Sequence, residues 1–304
     1  MEWIWIPITL AGAFLQAFRT ALQKFLKGRL STNGATFTRF VYGAPLAVLY
    51  LFALRHHLGA EMPSPTPVFL AWVVTGGLSQ ILGTSMLLHV LGLRNFSIGV
   101  AYSKTETIQA AVFGLVFLGD PLSTWGLGAI LLATFGVVVF SFRGGAMSGA
   151  AAAPAGGWRA NAVLFGILSG SFFSISAVAY RGAALAVPVD NLFFAAAYAV
   201  AWASCLQTLM LGAYLRLREP GQITRVFRNW RIAALAGVTS MVGSVCWFTA
   251  MTIQTVAYVR TLGMVELIFT FLFSVFWFRE RARAREIVGV LLLVAGIVML
   301  LNPP

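Results

Sequence analysis

The sequence predicts an all-α integral membrane protein: ten transmembrane helices arranged as two inverted five-helix repeats. Three observations carry this. Hydrophobic residues make up 59% of the 304 positions and charged residues only 10%, where a soluble domain carries roughly a quarter charged. The apolar residues fall into runs of about twenty, enough to cross roughly 30 Å of hydrocarbon as helix. Polar landmarks of the first half also recur in the second.

Apolar runs punctuated by Pro, Gly and charge give the ten spans. In the first half they run from Trp3 to Leu26, Gly34 to Leu54, Pro67 to Leu91, Phe96 to Leu118 and Ser123 to Phe142. In the second they run from Asn161 to Ala183, Asn191 to Leu215, Trp230 to Thr252, Thr255 to Phe278 and Glu286 to Leu301. MEWIWIPITLAGAF has no basic segment ahead of its apolar stretch, so it reads as the first span rather than a cleaved signal peptide. GGAMSGAAAAPAGG, between the fifth and sixth spans, has the composition of a flexible linker. The expected domains are a first repeat over 1–143, a linker over 144–159 and a second repeat over 160–304.

The repeat is visible in unlike residues. Val100-Ala101-Tyr102-Ser103-Lys104-Thr105 opens the fourth span and Val256-Ala257-Tyr258-Val259-Arg260-Thr261 the ninth, at an offset of 156. At an offset of 160, Gly83 matches Gly243, Glu106 matches Glu266, Phe113 matches Phe273, Asp120 matches Glu280 and Gly136 matches Gly296. A short gap accounts for the change. Because five is odd, the second half must enter the membrane from the opposite side, which makes the duplication an inverted one. Inverted repeats give secondary transporters two exchangeable conformations around a solute site near the midplane.

The net charge of +12 is spread through the short loops rather than gathered on one face, which argues against a nucleic-acid partner. Alternate loops and their flanks hold sixteen cations, Arg39 among them, and the other set only Arg55 and Arg181. That bias places the basic loops in the cytoplasm and both termini outside. Cys205 and Cys246 lie inside apolar segments and read as packing residues.

Glu106 and Glu266 fall near the middle of their spans, where an ionised carboxylate is costly unless paired or in a wet cavity. On an ideal helix Lys104 and Glu106 are about 200° apart, and Arg260 and Glu266 about 240°. Any ion pair must therefore join two helices. Two readings stand: solute binding with proton coupling at Glu266 and Glu106, or a structural ion-pair network. Tyr102 and Tyr258 share the face of their Glu and could orient a carboxylate or simply pack. Gln16, Arg19 and Gln23 on the first span, with Gln80 and His89 on the third, add polar groups that either meet solute or bond a neighbouring helix. Together, one cation towards each mouth and two central carboxylates suit a solute bearing a carboxylate or phosphate. Asp120 and Glu280 read as caps of the helices that follow them.

The segments VLGLRNFSIGVAYSKTETIQAAVFGLVFLGDPLSTWGLGAILLATFGVVVF and AMTIQTVAYVRTLGMVELIFTFLFSVFWFRERARAREIVGVLLLVAGIVML resemble the drug/metabolite transporter superfamily, in particular its EamA-type ten-helix permeases. In both, a helix ends in a short acidic turn, Gly119-Asp120 or Arg279-Glu280, at the position of that family's Gly-Glu. The resemblance implies export of amino acids, metabolites or toxic compounds across the plasma membrane, as in a bacterial inner membrane. Two departures accompany it. The family commonly has a basic loop between helices two and three and cytoplasmic termini, whereas RHHLGAEMPSPTP is nearly uncharged. Many amino-acid-exporting relatives also lack the intramembrane cation found here in each half.

No catalytic signature, Walker loop or Cys/His cluster occurs, so no catalytic residue, cofactor or metal is expected. The expected partners are a small solute and the bilayer, with the chain a monomer or homodimer. The alternatives are a membrane-embedded transferase or hydrolase using Asp190, His56 and His57, or a channel.

Overall fold

The structure is a computed structural model that describes residues 3–26, 28–92, 102–141, 158–272 and 283–303. Every regular element among the described residues is an α-helix. In chain order these are α1 (Trp5–Leu26), α2 (Thr32–Leu58), α3 (Pro67–Gly92), α4 (Glu106–Leu118), α5 (Thr124–Ser141) and α6 (Trp158–Leu185), then α7 (Leu192–Arg218), α8 (Gln222–Arg228), α9 (Trp230–Ile253), α10 (Val256–Gly263), α11 (Val265–Leu272) and α12 (Ala284–Leu301). Among them, 7 are long and apolar enough to cross a bilayer. Leu209, Val116 and Leu291 are 71%, 68% and 62% exposed, as expected of side chains that face lipid.

The boundaries follow local chemistry. Ser31 begins α2 three residues before the expected Gly34, because its hydroxyl accepts from Gly34 N at 3.0 Å. Gly59, at φ 60°, ends that helix past the two histidines, so Arg55-His56-His57 belongs to helix rather than to the loop the sequence suggested. Asn191 caps α7 through Phe194 N. Asp120 does not cap α5. Its backbone N–H bonds Gly114 O at 3.1 Å, closing α4 around the positive-φ Gly119, and Ser123, accepting from Gly126 N at 2.9 Å, caps α5 instead. Glu280 lies outside the described residues; Glu286 closes the start of α12 by accepting from Arg283 N.

Three departures from the ten-span reading concern continuity. The fourth span is helical at 102–103, turns at 104–105 and is helical again from Glu106, its residues 96–101 lying outside the described ones. The ninth breaks at Met264 into α10 and α11. The segment 219–230 holds an unforeseen seven-residue helix, α8, anchored by buried Val226.

Contacts divide the chain into two compact units. Unit 1 comprises Met1–Leu78 and Ala179–Gln254; unit 2 comprises Ser79–Val178 and Thr255–Pro304. Each draws on both sequence halves, and α3 and α6 each contribute to both. In unit 1, α1 packs on α9, and α2 packs on α7 and α9. The small residues Ala195, Ala196, Ala197 and Ala199 of α7 are buried beside Phe194, Tyr198 and Tyr180. In unit 2, α5 and α12 touch backbone to backbone. A Cβ on Gly136 would fall 2.5 Å from Leu293 N, and one on Gly296 would fall 2.5 Å from Ala133 N. Small residues allow this approach, which dispersion and polarised Cα–H groups favour in lipid.

Candidate functional site

In unit 2, Arg260 of α10 reaches Glu106 of α4, with Nη1 3.9 Å from Oε1. The pair joins two helices, and both side chains are largely buried, at 17% and 18% exposure. One contact at that distance is a loose ion pair, far from the bidentate arrangement an Arg and a carboxylate can form.

The backbone around this pair is irregular in both halves. Thr105 N bonds Tyr102 O at 3.1 Å, a three-residue turn, and α4 begins at Glu106. Met264 N likewise bonds Thr261 O at 3.2 Å before α11 begins. Glu106 and Glu266 thus lie in the first turns of new helices rather than mid-helix as the sequence suggested. There, oriented N–H dipoles favour a carboxylate by about 0.3–1 kcal/mol. The change of offset from 156 to 160 falls between Thr261 and Glu266, where four extra residues, about one helical turn, coincide with the break.

Helix α6 supports the first break. A Cβ on Gly170 would fall 2.9 Å from Ser103 O, and Ser174 Oγ donates to Glu106 O at 2.6 Å. Gln109 Nε2 donates to Thr105 Oγ1 at 2.9 Å. The Thr107 hydroxyl and the Gln109 side-chain oxygen are buried with no hydrogen-bond partner among the described residues. Polar atoms so placed are uncommon in folded proteins and invite a ligand or water.

The other expected site residues are placed as follows. Lys104 lies half-buried in the turn before α4, and Tyr102 is exposed at its start. The Tyr258 hydroxyl lies over Gly126 and 3.3 Å from Ser123 Oγ, among Ala111, Ile130 and Ala257. It packs the start of α5. Gln16 and Arg19 are half-buried on α1, in unit 1. His89 falls on α3, but its side chain lies outside the described ones. His56, His57 and Asp190 are exposed, and no hydrogen bond or ion pair among the described residues joins them.

Two helical cations were counted in the sequence reading with the loops and their flanks, although both fall inside its spans, Gly34 to Leu54 and Asn161 to Ala183. Arg39 lies inside α2, 9% exposed, donating from Nε to Ser240 Oγ at 3.0 Å. Arg181 lies in α6 and meets the last carbonyls of α9. The span from Gly34 to Leu54 already carried the signal that Arg39 is helical.

Residues 160–302 match the EamA-like transporter family. Through that half, the chain belongs to the EamA-like transporter family. The family is part of the drug/metabolite transporter superfamily, and the protein is a multi-pass membrane protein. No curated protein matches the sequence. Among solved structures, 29 chains match the fold. One of them, described only as "Crystal structure of protein", gives a TM-score of 0.69 at 17% identity over 99% of this chain and 98% of that one. At that identity the likeness speaks for the fold alone.

Proposed function

We propose that this EamA-family protein is a secondary transporter, working as an exporter by alternating access, for small organic metabolites that carry a carboxylate or phosphate, amino acids among them. The observation that carries the reading is the loose Arg260–Glu106 pair set at two broken helices. Broken helices offer polar backbone at membrane depth, which is tolerated where it lines a cavity. A solute oxyanion that takes Arg260 releases Glu106, whose carboxylate then accepts a proton or a solute ammonium group. Lys104 supplies the second cation, and Glu266 the second coupling carboxylate. Gln16 and Arg19 are assigned to solute contact with less support, since they lie in the other unit.

The inverted-repeat reading is supported by the helix pairings. Spans two and seven pack together, as do four and nine, and five and ten. Span one packs on eight, while span three packs on six through Gly76 against Tyr180 and Gly83 against Phe173. Exchanging each span with the one five later maps this set onto itself. We place the protein in a bacterial plasma membrane, termini outside. Arg29, Arg216, Arg218, Arg225, Arg228 and Arg231 gather where α1 and α7 end and α2 and α9 begin, which supports that end as cytoplasmic.

The test is counterflow in proteoliposomes against amino acids, dicarboxylates and organic phosphates, with Arg260→Met and Glu106→Gln beside wild type. Exchange with one class, lost in both variants while their melting temperatures hold, is the expected result. If every variant that stops exchange also unfolds in detergent, the pair is structural and the reading fails.

A further inference from the structure

Arg39 is a permanent charge in the interior of unit 1. A guanidinium does not shed its proton to escape a poor solvent, so its charge has to be met by an anion, by water or by dipoles. It has Ser240 Oγ at 3.0 Å, the Phe40 ring 5.1 Å away and the Tyr180 phenol within electrostatic reach. No described carboxylate lies within ion-pairing distance of it. The described acidic residues of unit 1, Glu61, Asp190 and Glu219, all lie beyond the helix ends, and Glu219 already accepts from Ser31 and Asn33.

A second guanidinium stands at the same level. Gly12 of α1 packs against Cys246 and Trp247 of α9, and Gly243 packs against Leu15. That antiparallel register carries Arg19, one turn beyond Leu15, to the height of Thr239 and Ser240. Arg19 is within electrostatic reach of Arg39. Two like charges therefore converge where α1, α2 and α9 meet, and each raises the cost of the other.

Depth distinguishes this place from the basic loops. Arg39 is the eighth residue of α2, about 12 Å from its start, and Ser240 lies about 16 Å into α9. The bond to Ser240 holds the guanidinium inward, so it does not snorkel to the interface. A phospholipid headgroup belongs at the helix ends, whereas a soluble anion can enter to this depth through a wet cavity.

We propose that Arg39 and Arg19, with Ser240 orienting Arg39, form an oxyanion site inside unit 1 that takes the carboxylate or phosphate of a small soluble solute. A bound oxyanion offers two or more acceptor oxygens to the two planar forks and cancels their mutual repulsion. The site stands on the geometry of unit 1 alone and holds whether or not Glu106 and Arg260 take part in transport.

The experiment is binding to the purified protein in uncharged detergent after delipidation. Melting temperature is followed against inorganic phosphate and against succinate, with chloride at matched ionic strength as control and phosphatidylglycerol in a separate arm. The expected result is a saturable rise with phosphate or succinate, kept in Arg55→Gln and lost in Arg39→Gln and Arg19→Gln. Arg39→Lys should weaken the apparent affinity about tenfold, the equivalent of one charge-assisted hydrogen bond. Should Arg39→Gln fail to fold, Arg19→Gln and Ser240→Ala carry the test. No rise with either anion, an equal rise with chloride, a rise that survives in the folded variants, or a response to phosphatidylglycerol alone would each overturn the proposal.

Discussion

Arg181 of α6 donates from Nη1 to the carbonyl oxygen of Gln254 at 2.7 Å, closing the end of α9 from a neighbouring helix. The same nitrogen serves Thr252 O at 3.3 Å and also Met251 O. The last carbonyls of a helix lack intrahelical partners, and a cation there also meets the negative end of the dipole. Arg181→Met is expected to destabilise the protein by about 2–3 kcal/mol, since hydrogen bonds to charged groups contribute roughly 1.5–3 kcal/mol each. Equilibrium unfolding in mixed micelles measures this. Arg181→Lys, which keeps the charge and three donors, should recover part of the loss.

Gly136→Leu is expected to separate α5 from α12. The backbone of Leu293 occupies the space a side chain would need, and neither helix can yield without losing the second contact at Gly296. Overpacking of this kind costs about 1–3 kcal/mol for small insertions and more for large ones. The measurement is the melting temperature of Gly136→Ala against Gly136→Leu; a graded fall is expected, and equal stability of both would contradict the close approach.

Glu266→Gln should keep the fold, because an amide at a helix start replaces a carboxylate at small cost. Transport by this variant should lose its pH dependence if the carboxylate carries the coupled proton. Wild-type proteoliposomes assayed across a pH series beside the variant decide it. A variant with the wild-type pH profile would remove Glu266 from the coupling step.

Alkaline phosphatase fused at Pro304 should be active and a fluorescent protein at the same place dark, since the loop cations favour external termini. Arg39 and Arg181 are bonded to neighbouring helices, at Ser240 and at the end of α9, so setting them aside leaves a count of fifteen against one. Their reassignment leaves the bias as steep as before.

The reach of the sequence has a physical limit here. In lipid every backbone group must be bonded internally, so hydropathy finds helices well, and α2, α3, α5, α7, α9 and α12 follow their apolar runs. The breaks were not legible as breaks: at Met264 the residues Leu262, Gly263, Met264 and Val265 are apolar with no proline, and at Thr105 the polar run Ser103-Lys104-Thr105-Glu106-Thr107 read as site residues within one span. That concealed the helix starts which hold Glu106 and Glu266. Arg39 and Arg181 fell inside their spans yet were counted with the loop flanks for their charge; what tells a buried cation from a loop cation is its partner, here Ser240 in one case and a helix end in the other. The Arg260–Glu106 contact was legible only as a restriction, since helical geometry excluded pairing within one helix. The fate of Tyr258 depended on Gly126, distant in sequence and visible only in space.

The division of the chain into units has a consequence for biogenesis. Unit 1 needs α1 and α2 together with α7, α8 and α9, so it stays incomplete until the ribosome has passed residue 254. Until then α1 and α2 wait in the bilayer without α9, the helix on which both pack, and Arg39 waits without Ser240. Unit 2 waits longer, because α5 meets α12 only when synthesis is nearly finished. Two fragments divided within 144–157 would each carry unmatched surfaces, and they would be stable only when made in the same cell and inserted side by side.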